Sequence, residues 1–244
     1  MKIVFWNKEQ NCGMTSNMLV FAVFLVYRKG CRITFFELAG EKHGIKSYFR
    51  EPCEKYHKSY IETLIERHLY YISEANWKRR QKKRKMRNGK LFQPSILREI
   101  RYIEANMDVI LIHLGDREDD EAKRIIREAD VFIVNVKQEE SGFETFFAQY
   151  ANLSEHIFFL IGNYSEGTTL QKSYFSNKYR ISENEIGVIP FHSEWQYLLK
   201  QKKLENYIGR RDKEKMSGKK YYFLREVEAS IEKIWSMAQL SCNK

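Results

Sequence analysis

The chain has 244 residues, 43% of them apolar and 14% aromatic, and a formal net charge of +10. This composition excludes a chain too polar to fold and suits one large α/β domain as well as two small ones; with no internal repeat and no linker that demands two, a single domain over residues 1–244 is expected. Cys12, Cys31, Cys53 and Cys242 are scattered with no C-x-x-C spacing, which argues against a zinc site or dithiol redox motif and for reduced thiols in a cytoplasmic protein.

The first element is an apolar run over residues 2–6, read as a strand buried on both faces. A loop, "NKEQNCG", leads into an apolar stretch over residues 15–27, read as a buried helix. Its core is too short to span a membrane and is followed by Arg28 and Lys29, and no segment has the layout of a signal peptide. "CRITFFEL", rich in β-branched and aromatic residues, predicts the second strand. A polar stretch follows, with some helical character near "SYIETLIERH", and then a short strand, "LYYIS".

The positive charge is concentrated next, in "WKRRQKKRKMRNGK" at residues 77–90. It holds Lys78, Arg79, Arg80, Lys82, Lys83, Arg84, Lys85, Arg87 and Lys90 with no acid, and without these nine the balance is +1. Such an insertion suits the phosphate backbone of DNA or RNA, or an anionic lipid surface, and equally suits a solvated basic loop.

"QPSILREIRYIEAN" carries a helix start, with Pro94 early and Ile96, Leu97, Ile100 and Ile103 at helical spacing. "DVILIHLG" predicts a strand. "EDDEAKRIIREA" predicts a helix whose early acids and later bases suit its dipole. Strands at "DVFIVNV", "HIFFLIGNY" and "IGVIPF" alternate with helices at "ETFFAQYAN" and "SYFSNKYR". Two amphipathic helices, "SEWQYLLKQKKLENYI" and "YYFLREVEASIEKIWSMAQL", follow. The acids Glu226, Glu228 and Glu232 make the last a poor membrane anchor, so it is expected to pack on the sheet. This alternation predicts a mostly parallel sheet with helices on both faces and a ligand site beyond the carboxyl ends of the strands.

Five stretches in this order, "FWNKEQNCGMTSNM", "DVILIHLGD", "EADVFIVNVKQ", "FFLIGNY" and "IGVIPF", resemble the ParA/MinD group of P-loop ATPases. More narrowly, the chain is similar to divergent members near the TadZ-like positioning proteins. The resemblance implies a three-layer P-loop NTPase fold, binding of ATP or ADP with Mg²⁺, protein partners in a positioning or assembly system, and a homodimer.

It also implies a site. The group's loop reads x-K-G-G-x-G-K-[ST]-[ST], in which backbone amides curl around phosphates, lysine neutralises charge and a hydroxyl holds Mg²⁺. With Gly13 on the last loop glycine, Met14 replaces the invariant lysine. Glu9 replaces the signature lysine that reaches across the dimer. Thr15 keeps the metal hydroxyl, with Ser16 beside it. A charge reversed near the phosphate path costs roughly 1–4 kcal/mol at about 4 Å near a surface.

The aspartate expected after the fourth strand is replaced by His113, a poor Mg²⁺ ligand. Asp116 is the nearest acid that could take over. Glu37 lies where an acid would position the attacking water. Asn163 and Pro190 fall where the adenine base would be read and flanked. Phosphoryl transfer depends chiefly on positioning and charge, so these changes point to a pseudo-ATPase. An active switch with a rebuilt metal site, and a non-specific DNA-binding protein with a vestigial nucleotide site, are the two rival readings.

Overall fold

The structure is a computed structural model, and it describes residues 1–39, 45–48, 68–73, 77–79, 95–201 and 218–242. Seven strands form one sheet: β1 (Lys2–Trp6), β2 (Ile33–Glu37), β3 (Leu69–Ser73), β4 (Val109–Gly115), β5 (Val131–Val136), β6 (Ile157–Tyr164) and β7 (Ile186–Pro190). Their order is β3-β2-β4-β1-β5-β6-β7, and every pairing is parallel. The expected parallel α/β architecture is therefore the observed one. Strands β1, β2, β4, β5 and β7 are buried along their whole length, apart from Lys2 at the start of β1. Apolar runs rather than alternation are what such two-sided burial requires.

The helices are α1 (Met14–Lys29), α2 (Ile96–Glu104), α3 (Asp120–Arg127), α4 (Glu140–Gln149), α5 (Lys172–Tyr179), α6 (Ser193–Lys200) and α7 (Gly218–Cys242), and residues Ile45–Tyr48 form one turn of 3₁₀ helix. Helix α1 begins one residue earlier than its apolar pattern suggests. Gly13 and Gly30, both left-handed (φ 75° and 65°), bracket it, and the Gly30 N–H closes the end on the Val26 carbonyl. Helix α4 begins at Glu140, four residues before the apolar pattern that announced it, and its first turn is polar. Of the expected helix near "SYIETLIERH" only His68 is among the described residues, and it is helical; Pro94 and most of the basic segment lie outside them.

Two apolar clusters cover the two faces of the sheet. One joins α1 and α7 to Phe5, Phe35, Leu111 and Ile133. The other joins α2, α3, α4 and α5 to Val4, Ile112, Val134 and Ile161. Val227, Ile231, Ile234 and Ala238 of α7 are buried in the first, so this helix packs on the sheet as its acidic face foretold. The order of strands sends the chain from β1 to one side and from β4 to the other. The loop after β1 thus sits at the point where the winding reverses, beside the ends of β4, β5 and β6.

Candidate functional site

The loop of residues 7–13 is tied down on three sides. The Asn7 N–H donates to the Gly115 carbonyl at 3.1 Å, and the Asn7 side chain donates to the Glu9 carbonyl at 2.6 Å. Lys8 pairs with Glu118 and lies 5.8 Å over the Tyr150 ring. Glu9 turns to α4, where the Ser141 hydroxyl donates to its Oε1 at 2.7 Å. A Cβ on Gly142 would lie 3.1 Å from Glu9 Oε2, and that oxygen has no hydrogen-bond partner. A carboxylate in the first turn of a helix is favoured by the dipole and exposed amides. The replacement at position 9 is thus built into the packing of the loop.

Beneath the loop, Gly162 is a close-approach position. A Cβ there would stand 2.1 Å from the Cys12 carbonyl oxygen, so the loop rests directly on β6. Asn163, exposed at the next position, adopts φ 51°. Its Nδ2 lies 3.5 Å from where a Cβ of Gly13 would be, which brings the expected base-reading residue to the loop glycine. Pro190, by contrast, is buried in β7.

Met14 opens α1 with its side chain 7% exposed, inside the apolar cluster that holds Cys12, Met18 and Trp195. Burial pushes the Cys12 thiol up to about 11, so it is no thiolate. The Ser16 hydroxyl accepts from Trp195 Nε1 at 3.0 Å. Asn17 donates to Asn135 at 3.1 Å, and Asn135 donates to the Trp6 carbonyl at 3.3 Å. These buried amides tie α1 to β5 and β1 behind the loop.

Thr15, half-buried, points the other way. Its Oγ1 lies 3.3 Å from His113 Nε2. His113 is 5% exposed on β4, and burial holds its imidazole down at about 4, neutral at ordinary pH. Its Nδ1 lacks a hydrogen-bond partner and lies 3.9 Å from Glu37 Oε1. The parallel register sets Glu37 directly beside His113. Glu37, 2% exposed, accepts the Ile45 N–H at 3.0 Å and the Tyr71 hydroxyl. Asp116 is exposed beyond the end of β4, and among the described residues no group of three His, Cys, Asp or Glu side chains could hold a metal ion.

Of the candidates read from the sequence, Gly13, Thr15, Ser16, Glu37, His113 and Asn163 lie at one rim of the sheet. Tyr71, Ser141, Gln138 and Trp195 escaped notice. Gln138 clamps the loop after β6 by donating to Ser165, Thr168 and Leu170 and accepting from the Ser165 N–H. A lone glutamine or serine has no periodic signal, and Tyr71 counted only as a strand former. Of the basic segment, Lys78 and Arg79 are described and exposed, next to buried Trp77. Arg80, Lys82, Lys83, Arg84, Lys85 and Arg87 lie outside the described residues.

No protein-family profile and no curated protein matches this sequence. Its fold does match solved structures. A ParA family ATPase from Chlorobium tepidum superposes with TM-score 0.63 at 12% identity, over 95% of this chain and 97% of that one. A chain of the MinC:MinD cell division complex from Aquifex aeolicus gives TM-score 0.59 at 12% identity, over 100% and 96%. A McdA–ATP complex from Cyanothece gives 0.59 at 9% identity, over 96% of each chain. At such identities the likeness establishes the fold: this chain has the ParA/MinD-like P-loop architecture.

Proposed function

We propose that this chain is a degenerate ParA/MinD-fold protein serving as a positioning or scaffolding factor, with ATP hydrolysis slow or absent. The observation that carries this reading is the state of the loop. Met14, in the lysine's place, is committed to the apolar core, and Glu9 is docked on Ser141 of the same chain. Neither residue can neutralise a triphosphate, and Glu9 adds repulsion. Thr15 faces a neutral imidazole rather than a carboxylate-held metal. A positioning role is supported by the fold shared with the ParA family ATPase and with the MinC:MinD complex. Its partners would be proteins of an assembly system, and any homodimer would form without the bridging lysine.

Calorimetric titration with ATP and ADP, with and without Mg²⁺, tests this. The expected result is binding far weaker than in active relatives, unaffected by Mg²⁺, and strengthened in the double variant Glu9→Lys, Met14→Lys. Multiple-turnover ATP hydrolysis dependent on Mg²⁺ and abolished by Thr15→Ala would sink the reading and favour the rebuilt-site switch.

A second role, a grip on DNA or another polyanion, is supported by the exposure of Lys78 and Arg79 at the root of the basic segment. Affinity for duplex DNA should then fall steeply with salt, with a slope reduced when Lys82, Lys83, Arg84, Lys85 and Arg87 are neutralised. No binding at low salt would exclude it.

A further inference from the structure

Three polar side chains from three different elements meet under the loop. Thr15 from α1 offers a hydroxyl at 3.3 Å from His113 Nε2. The other ring nitrogen of His113 faces the Glu37 carboxylate at 3.9 Å. Glu37 is in turn fixed by the Ile45 N–H and the Tyr71 hydroxyl. We propose that Thr15, His113 and Glu37 form a nucleophile–base–acid constellation able to hydrolyse small, uncharged acyl esters.

The roles follow from position. Thr15 stands second in α1, just after the left-handed Gly13 that closes the strand-to-helix loop, a place where α/β folds can present a nucleophile. The first-turn amides of α1, the Ser16 N–H among them, have no intrahelical carbonyl to bond, and these are the donors assigned to the oxyanion. His113 Nε2 is the ring nitrogen that faces the Thr15 hydroxyl, which makes it the proton acceptor. The His113–Glu37 separation is about 1 Å longer than a hydrogen bond. Contacts of this kind are commonly loose without substrate and tighten with it. Glu37 acts through the imidazole and is a positioning residue. Met14 in the apolar core and the Glu9 carboxylate nearby disfavour an anion, which suits an uncharged acyl group.

In the step itself, Thr15 Oγ1 forms a bond to the acyl carbon while its proton passes to His113 Nε2. The ester C–O bond breaks, and the leaving alcohol takes that proton. Water then attacks the acyl carbon and gives a proton to His113. The Oγ1–acyl bond breaks, and the hydroxyl recovers its proton as the carboxylic acid departs. Water is the only co-reactant. The inference does not depend on the positioning reading, since no nucleotide takes part.

The test uses the full chain with p-nitrophenyl acetate and no nucleotide, followed by mass spectrometry of the peptide that carries Thr15. The expected result is a burst of nitrophenolate with an acetyl adduct on Thr15, lost in Thr15→Val and retained in Thr15→Ser. His113→Gln should slow acylation by roughly 10²–10⁴-fold. Glu37→Gln should lower kcat with KM unchanged. Circular dichroism confirms that each variant folds, and the Thr15→Ser variant keeps the test open if Thr15→Val does not fold. Acetylation confined to surface lysines, or a burst equal in Thr15→Val and the natural chain, would overturn the proposal.

Discussion

At the scale of single residues, His113 is a titratable group that burial has stripped of water. Its ordinary value near 6.5 falls to about 4 because burial opposes the imidazolium. Below pH 6.5 the unfolded chain therefore binds a proton that the folded chain refuses. Stability should fall as the pH drops from about 6.5, with the loss complete below about 4. Linkage gives about 2 kcal/mol between pH 7.5 and pH 5. Urea unfolding at those two pH values measures it, and His113→Gln should flatten most of the difference. His192, partly buried and shifted in the same direction, accounts for a smaller remainder. The carboxylates held low by their partners, Asp108 through Arg32 and Asp119 through Arg117, titrate below this window. Equal stability at both values would contradict the burial of a neutral imidazole. That His113 mattered was legible, because an imidazole stands at the end of an apolar strand. Its neighbours were not, since Thr15 and Glu37 lie 98 and 76 positions away in a sequence that carries no register.

Among the elements, the contact of α7 with β7 has the plainest chemistry. Strand β7 ends the sheet, so one side of its backbone has no neighbouring strand. Ser230 of α7 fills that need twice. Its hydroxyl accepts the Val188 N–H at 2.9 Å and donates to the Val188 carbonyl at 3.0 Å. Gly187 lets the helix approach, since a Cβ there would sit 2.5 Å from Ser230 Oγ. Ser230→Ala should leave buried backbone groups unpaired and cost about 1–3 kcal/mol, read from the midpoint of a denaturant melt with an unchanged slope. A loss below a few tenths of a kcal/mol would show that other groups or water satisfy Val188. The helix itself was visible in its apolar spacing. The role of Ser230 was not, because a serine among Val227, Ile231 and Ile234 reads as an interruption until the edge strand is laid beside it.

For the whole molecule, α7 closes one of the two faces of the sheet. It buries Phe223, Leu224, Val227, Ile231, Ile234 and Ala238 against α1 and the strands. Each of the larger side chains contributes about 1.5–3 kcal/mol when fully withdrawn from water, together about as much as the net stability of a typical domain. A chain ending before residue 218 should therefore not fold, and should bind a hydrophobic dye and aggregate where the intact chain does neither. A truncated chain with a cooperative melt would refute this. The described helices include none long and apolar enough to cross a membrane, in keeping with α7 as a core element.

The sequence alone determined the order of strands and helices, because burial on both faces demands apolar runs of strand length and helices demand their own period. It also determined what the loop lacks, since charge can be read residue by residue at positions 9 and 14. Only the tertiary structure decided what those residues do instead. Glu9 found Ser141, Met14 joined the core, and Thr15, His113 and Glu37 came together because parallel strands in the order β2-β4-β1 set their ends side by side. Composition and periodicity constrain which face a residue takes, whereas register and crossover decide which distant residues it meets.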